Sequence, residues 1–189
     1  MKNLKLVLPI VIVAMVSCGC PHHPYQALAS ETSKWTRIYN GGKESLFKDS
    51  LNEYDTIAAS FKDTVLIWSA SAECNFPCQS SVVKMQSKRF NLDLKITATN
   101  NNRVLFDYCF GHPDCDQMAD YNVDEDNLMA GHDFDAKINL NFSFHGQVMK
   151  VMEIARKTGY LATFSKIIYS REFGLIEIVD NQNKVWILN

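Results

Sequence analysis

Six cysteines stand in three close pairs along the 189-residue chain, at positions 18 and 20, 74 and 78, and 109 and 115. A thiolate is a nucleophile, a redox partner or a soft metal ligand, and two thiols can instead close a disulfide. Cys109-Phe110-Gly111-His112-Pro113-Asp114-Cys115 sets two sulfurs, an imidazole and a carboxylate close together. Cys109, His112 and Cys115 are therefore weak candidate zinc ligands, with Cys74 and Cys78 needed to complete a four-ligand site. In an oxidising compartment the same residues read as two local disulfides, Cys74–Cys78 and Cys109–Cys115, and no metal. Four cysteines allow three pairings, and spacing alone does not choose among them. Local closure fixes the shape of a loop, whereas a crossed pairing would staple two distant hairpins and stabilise more.

Cys74-Asn75-Phe76-Pro77-Cys78 follows the apolar run Val65 to Trp68. The arrangement superficially resembles that of thioredoxin, where a cysteine pair lies between a strand and a helix. That resemblance implies thiol-disulfide exchange by Cys74 and Cys78. Two departures oppose it: the spacing is three residues rather than two, and Ser80 to Ile96 reads as strand, leaving no helix N-terminus to stabilise a thiolate. Other catalytic patterns are missing. There is no Gly-x-Ser-x-Gly elbow, and nothing ties His112, His132 or His145 to a serine. Eight glycines in the whole chain form no phosphate-cradling loop. Asp120 to Asn127 has closely spaced oxygen donors but not the order of a calcium-binding EF-hand, and it reads as a solvated acidic loop. No cofactor is expected, and the expected protein is not an enzyme.

The compartment is read from the leader. Lys2 and Lys5 form a positive start, and Leu6 to Val16 is an uncharged run of eleven residues interrupted by Pro9. Spanning a hydrocarbon core of roughly 30 Å takes about 20 apolar residues, so this run suits a signal peptide rather than a membrane helix. It ends in Met15-Val16-Ser17-Cys18-Gly19, which resembles the lipobox of bacterial lipoproteins. The resemblance implies cleavage before Cys18, a diacylglycerol thioether on its sulfur and a palmitoyl group on its new N-terminus, with Cys20 as the alternative site. Several acyl chains retain a protein stably where one would be marginal. Position 19 is glycine rather than the aspartate of inner-membrane retention signals, and no acidic cluster follows. The expected location is therefore the outer membrane, periplasm-facing.

Removing residues 1–17 takes away two lysines and no acid, moving the formal charge from −2 to −4. A mildly acidic chain without a basic block lacks the electrostatic footprint of nucleic-acid binding. Roughly 170 residues are enough for one domain with its own core. The expected division is a signal peptide over 1–17, a lipidated N-terminus and flexible tether over 18–33 carrying Pro21, His22-His23 and Pro24, and a single β-rich domain over 34–189.

Period-two alternation dominates that domain. Tyr54 to Ser60 and Thr64 to Ser69 read as a hairpin turning at Phe61-Lys62-Asp63. Phe90 to Ala98 alternates strictly and, after the turn Asn100-Asn101-Asn102, returns as Arg103 to Phe110. Gly111 to Asp135 reads as a long polar loop with one short helical turn. Lys137 to Phe144 alternates again before the turn His145-Gly146. Gln147 to Lys157 fits both periods and is assigned to strand by its neighbours. Tyr160 to Tyr169, Leu175 to Val179 and Lys184 to Leu188 complete the set, with turns at Arg171–Gly174 and Asp180–Asn183. The expected fold is mainly β, an antiparallel meander, sandwich or partly open barrel, with little helix after the signal peptide.

The closing segment, Ile168-Tyr169-Ser170-Arg171-Glu172-Phe173-Gly174 through Trp186, resembles the end of many small outer-membrane lipoproteins of Bacteroidota type. The resemblance implies a β-meander end and carries no characterised activity. The expected function is thus a lipid-anchored, non-enzymatic binding or structural module. Its expected partners are the membrane together with an envelope protein, a glycan or a small apolar ligand, and no nucleic acid.

Overall fold

The computed structural model describes residues 27–71, 74–87, 92–109, 115–157 and 162–189, and of 66–71 and 74–77 the backbone only. The leader, Cys18, Cys20 and His112 lie outside the described residues. The chain starts with one helix, α1 (Ser30–Arg37), followed by twelve strands. They are β1 (Lys43–Asp49), β2 (Tyr54–Ser71), β3 (Cys74–Ser87), β4 (Leu92–Thr99), β5 (Arg103–Tyr108), β6 (Asp116–Asn122), β7 (Asn127–Ala130), β8 (Phe134–Phe144), β9 (Gln147–Arg156), β10 (Phe164–Ser170), β11 (Gly174–Asp180) and β12 (Val185–Leu188).

All twelve join one antiparallel sheet in the order β7-β6-β5-β4-β3-β2-β1-β12-β11-β10-β9-β8. The fold is mainly β, a meander curled into a nearly closed barrel. Its chain starts in the middle of the sheet, walks to one edge at β7, crosses to the other edge at β8, and walks back until β12 pairs with β1. The connection from β7 to β8 is only residues 131–133, so the two edges stand side by side as a seam. There the Gly131 amide donates to the Met118 carbonyl (2.8 Å), and the Lys157 amide donates to that of Asp133 (2.8 Å).

Alternation explains which way the strands face. Leu92, Leu94, Ile96, Val104, Phe106 and Tyr108 are buried inside, while Lys95, Asp107 and Arg103 look outward. Burying one such apolar side chain is worth about 1.5–3 kcal/mol. The outer surface is stitched by ion pairs between strands: Lys95–Asp107 (3.3 Å), Lys137–Glu153 (3.1 Å), Lys166–Glu177 (2.8 Å) and Arg103–Asp120. No helix among the described residues is long and apolar enough to cross a membrane.

Helix α1 fills one end of the barrel. It buries Thr32, Ser33, Trp35 and Thr36. Thr32 Oγ1 donates to Asn102 Oδ1 (3.0 Å), Thr36 Oγ1 shares a 2.5 Å hydrogen bond with Ser81 Oγ, and Tyr169 Oη donates to the Trp35 carbonyl (2.5 Å). Trp35 meets Tyr121 edge-on at 5.1 Å between centroids and stacks on Tyr169 at 6.3 Å. Buried polar groups must find partners, and here the plug and the barrel wall supply them for each other.

Several expectations change. Residues 30–33, assigned to the tether, belong to α1, so the folded domain begins before residue 34. Phe61-Lys62-Asp63 is not a turn: it pairs with Val83, Val82 and Ser81 within the unbroken strand β2, and the chain reverses between Ser71 and Cys74. Those three residues offer no glycine, asparagine or proline to bend the backbone, and Phe61 packs on the core. Ser80 to Ile96 is two strands, β3 and β4, paired with one another. The supposed loop Gly111 to Asp135 contains the hairpin β6–β7. Its alternation is hidden by a bulge: Phe106 pairs with Ala119 but Asp107 with Gln117, so Met118 and Ala119 are both fully buried. Gln147 to Arg156 is strand, and Asn102 (φ 58°) and His145-Gly146 (φ 47° and 77°) turn with positive φ.

Candidate functional site at the plugged mouth

Helix α1 does not fill its end of the barrel completely. Beside it opens a cavity of about 500 Å³, lined by Glu31 and Trp35 of α1, Tyr121 of β6, Val123, Asp124 and Asp126 of the β6–β7 turn, Lys150 of β9, and Arg171 and Glu172 of the β10–β11 turn. Helix α1 thus meets three segments far apart in sequence, the β6–β7 hairpin, β9 and the β10–β11 turn, which the up-and-down direction of the strands brings to this end.

Trp35 and Tyr121 form an aromatic wall, and both are largely buried. The Tyr121 hydroxyl donates to Asp126 Oδ1 (2.7 Å), Lys150 Nζ donates to the Tyr121 oxygen (3.0 Å), and Lys150 also pairs with Asp126. The ammonium stands 5.2 Å from the Tyr121 ring centre. Because β6 and β7 lie on one side of the seam and β9 on the other, this trio clasps the barrel shut at the mouth.

Charge states follow from these contacts. Burial pushes the Tyr121 phenol above its ordinary value, and the bond to Asp126 adds to that against the opposing pull of Lys150. Hydrogen bonds from Lys150 and Tyr121 hold Asp126 below the usual carboxylate range. Burial lowers Lys150, but its bonds to Asp126 and Tyr121 outweigh that and keep the ammonium protonated beyond its ordinary range. Tyr121 therefore acts as a hydrogen-bond donor at neutral pH, not as a base. On the opposite rim Arg171 pairs with Glu31 (3.4 Å) and Glu172 (3.2 Å), and Asn102 Nδ2 donates to Asp124 (2.6 Å). The rim carries four carboxylates against two cations. This is a concave, partly aromatic, acidic recess suited to recognition.

The cysteines lie elsewhere. Cys109 and Cys115 are joined in a disulfide that closes the β5–β6 connection at the far end of the barrel. Their sulfurs are bonded to one another, which removes the zinc reading built on Cys109, His112 and Cys115. Among the described residues no group of three or more His, Cys, Asp or Glu could hold a metal ion. The Cys74 side chain, and with it the Cys74–Cys78 pair, lies outside the described residues. The backbone at both positions runs in β3, paired with Ser71 and Leu66. An extended strand sets Cα atoms four positions apart at about 13 Å, whereas a disulfide needs less than about 7 Å, so closing that pair would require breaking the ladder. Neither position begins a helix, so the thioredoxin resemblance finds no matching backbone.

The sequence singled out Asp124 and Asp126 only as a solvated acidic stretch and Arg171 and Glu172 only as a turn, and it passed over Glu31 and Lys150. One signal was present: Tyr121 interrupts the acids where a free loop needs no aromatic. Comparison with known proteins found no matching family model, no matching curated protein and no matching solved structure.

Proposed function

We propose that this chain is a lipid-anchored cell-envelope protein, acylated at Cys18 and facing the periplasm from the outer membrane, whose barrel is a non-enzymatic binding module. The observation that supports it most is the recess at the plugged mouth, where four carboxylates and two cations surround Trp35 and Tyr121. Acid in excess beside an aromatic wall favours a small ligand, or the side chain of a partner, that carries positive charge. Among the partners considered, a basic group on another envelope protein suits this recess better than a neutral glycan or an apolar molecule. The polar clasp of Tyr121, Asp126 and Lys150 sets the shape of the recess rather than performing proton transfer.

The test is calorimetric titration of the unlipidated mature chain with spermidine, an arginine-containing tripeptide and a neutral oligosaccharide. The expected result is binding of the two cations, weakened by salt, and lost in a double variant Asp124→Asn, Glu172→Gln that melts at the wild-type temperature. Binding of the oligosaccharide alone, or no binding at millimolar ligand, overturns the reading.

A further inference from the structure

The recess already holds a cation of its own. Lys150 Nζ donates to the Tyr121 hydroxyl oxygen (3.0 Å), pairs with Asp126 and stands 5.2 Å from the centre of the Tyr121 ring. A carboxylate, a phenol oxygen and an aromatic face together make a subsite that recognises an ammonium group. Here all three are taken by a side chain of the same molecule.

The other acids of the recess are matched differently. Glu31 and Glu172 share Arg171, and Glu31 also pairs with Lys34 (2.5 Å). The Asp124 carboxylate accepts from the neutral Asn102 amide (2.6 Å) and has no ion pair among the described residues. A cationic ligand therefore meets one unmatched carboxylate, Asp124, and one ammonium subsite that is already filled.

Little opposes the departure of Lys150 from that subsite. The Lys150 and Asp126 side chains are 32% and 57% exposed, and an ion pair so open to water contributes little net stability. Its departure has a second effect. Tyr121 and Asp126 belong to the β6–β7 hairpin at one edge of the sheet, and Lys150 belongs to β9, which pairs with β8 at the other edge. β7 pairs with β6 over four residues and has no ladder with β8. At the far end the hairpin is tied by backbone bonds, from the Gly131 amide to the Met118 carbonyl and from the Phe134 amide to the Gly131 carbonyl (3.2 Å). At the mouth the tie across the seam is made by the Lys150 ammonium. Taking that ammonium off Asp126 empties the subsite and frees the mouth end of the hairpin in one movement.

We propose that Lys150 is a built-in stand-in for the ligand: a ligand's primary ammonium replaces it on Asp126 and Tyr121, and in doing so unfastens the β6–β7 hairpin from β9. The proposal rests on the reading of the recess as a cation site and narrows the ligand class. Exchanging one ammonium for another gains nothing by itself, so net attraction has to come from a second positive group, and Asp124 is where it is unmatched. The ligand is thus a polyamine, or a peptide segment with two neighbouring positive groups.

The test titrates spermidine and the monoamine butylamine calorimetrically into the unlipidated mature chain, Lys150→Met and Lys34→Met. A subsite filled in about nine-tenths of molecules raises the apparent dissociation constant about tenfold, the intrinsic value being divided by the open fraction. Spermidine is therefore expected to bind Lys150→Met about tenfold more tightly than the parent, and the parent to bind butylamine about tenfold more weakly than spermidine. Lys34→Met removes an equal charge from α1 while Glu31 keeps Arg171, and it should stay within about threefold of the parent. Hydrogen exchange needs no variant: spermidine should speed exchange of the β6–β7 amides in the parent, where a ligand bound without displacement would leave or slow them. Spermidine binding no tighter in folded Lys150→Met, a gain matched by Lys34→Met, or hairpin exchange unchanged or slowed overturns the proposal and leaves the cation reading of the recess standing. Binding by Lys150→Met with none by the parent keeps the stand-in and overturns that reading for the parent chain. No binding by either overturns both.

Discussion

Lys184 Nζ lies 2.5 Å from Asp49 Oδ2 and 2.7 Å from Glu53 Oε2, so a single ammonium joins two neighbouring turns at the far end of the barrel. The two turns are built alike. Asp49 Oδ1 accepts from the amides of Leu51 and Glu53, and Asp180 Oδ1 accepts from those of Gln182 and Lys184. In each, the fourth residue is an asparagine with φ of 61°, Asn52 and Asn183. Asp-x-x-Asn is thus the same solution used twice: the carboxylate gathers the turn's amides and the asparagine takes the left-handed conformation.

Asp49 gives a pH prediction. Burial pushes its carboxyl up, but Lys184 and the amides of Glu53 and Leu51 outweigh that and hold it below its ordinary 3.8. A depressed carboxylate contributes stability that is fully present above its unfolded value and lost as pH falls through the folded one. Asp49→Asn should therefore unfold at lower urea than the parent at pH 7, with the gap closing below about pH 4. Urea midpoints across that range check it; a gap that stays constant to low pH counts against the assignment.

Gly174 is held by Tyr39. It has φ of 79°, and a Cβ there would lie 2.0 Å from the Tyr39 hydroxyl oxygen, which accepts the Leu175 amide at 2.9 Å. Gly174→Ala should cost about 2–4 kcal/mol, from the strained φ and the displaced ring together. Tyr39→Phe, which only leaves the buried Leu175 amide unpaired, should cost about 1–3 kcal/mol. Denaturant unfolding of both variants gives the ordering.

The clasp at the mouth is tested by phenolate absorbance. Asp126→Asn removes a partner that raises Tyr121, so the phenol should ionise at lower pH than in the parent. Lys150→Met removes the cation that lowers it, so ionisation should move higher. Shifts of the same sign in both variants would contradict the trio.

The Cys109–Cys115 bond closes a loop of sequence separation six. Chain entropy for so short a loop gives about 2 kcal/mol, so reduction should lower the urea midpoint modestly while far-ultraviolet dichroism stays native. Intact mass before and after reduction reports the bond directly.

Legibility in the sequence followed periodicity. β5 and the first half of β4 alternate cleanly because one face is core and the other is not, and each could be read directly. β6 could not, since Met118 sits in a bulge and turns two successive residues inward. α1 was missed for a different reason: Ser30-Glu31-Thr32-Ser33-Lys34-Trp35-Thr36-Arg37 has one apolar residue, and its buried face is largely hydroxyls satisfied by Asn102 and Ser81. The recess was illegible because its residues meet only once strands six and nine are laid across the seam. No local pattern announces Lys150 as the partner of Asp126.

The pairing of β1 with β12 also governs when the molecule can finish folding. Phe47 meets Leu188 and Asp49 meets Trp186, contacts separated by nearly the whole described chain. Closing such distant pairs is slow, because loop entropy must be overcome before they contribute. For a chain delivered N-terminus first, β1 keeps a bare edge until the last four-residue strand arrives. The final residues therefore act as a completion signal: a chain truncated before Val185 should keep hairpins but expose the edges of β1 and β11 together, a state prone to strand exchange between molecules.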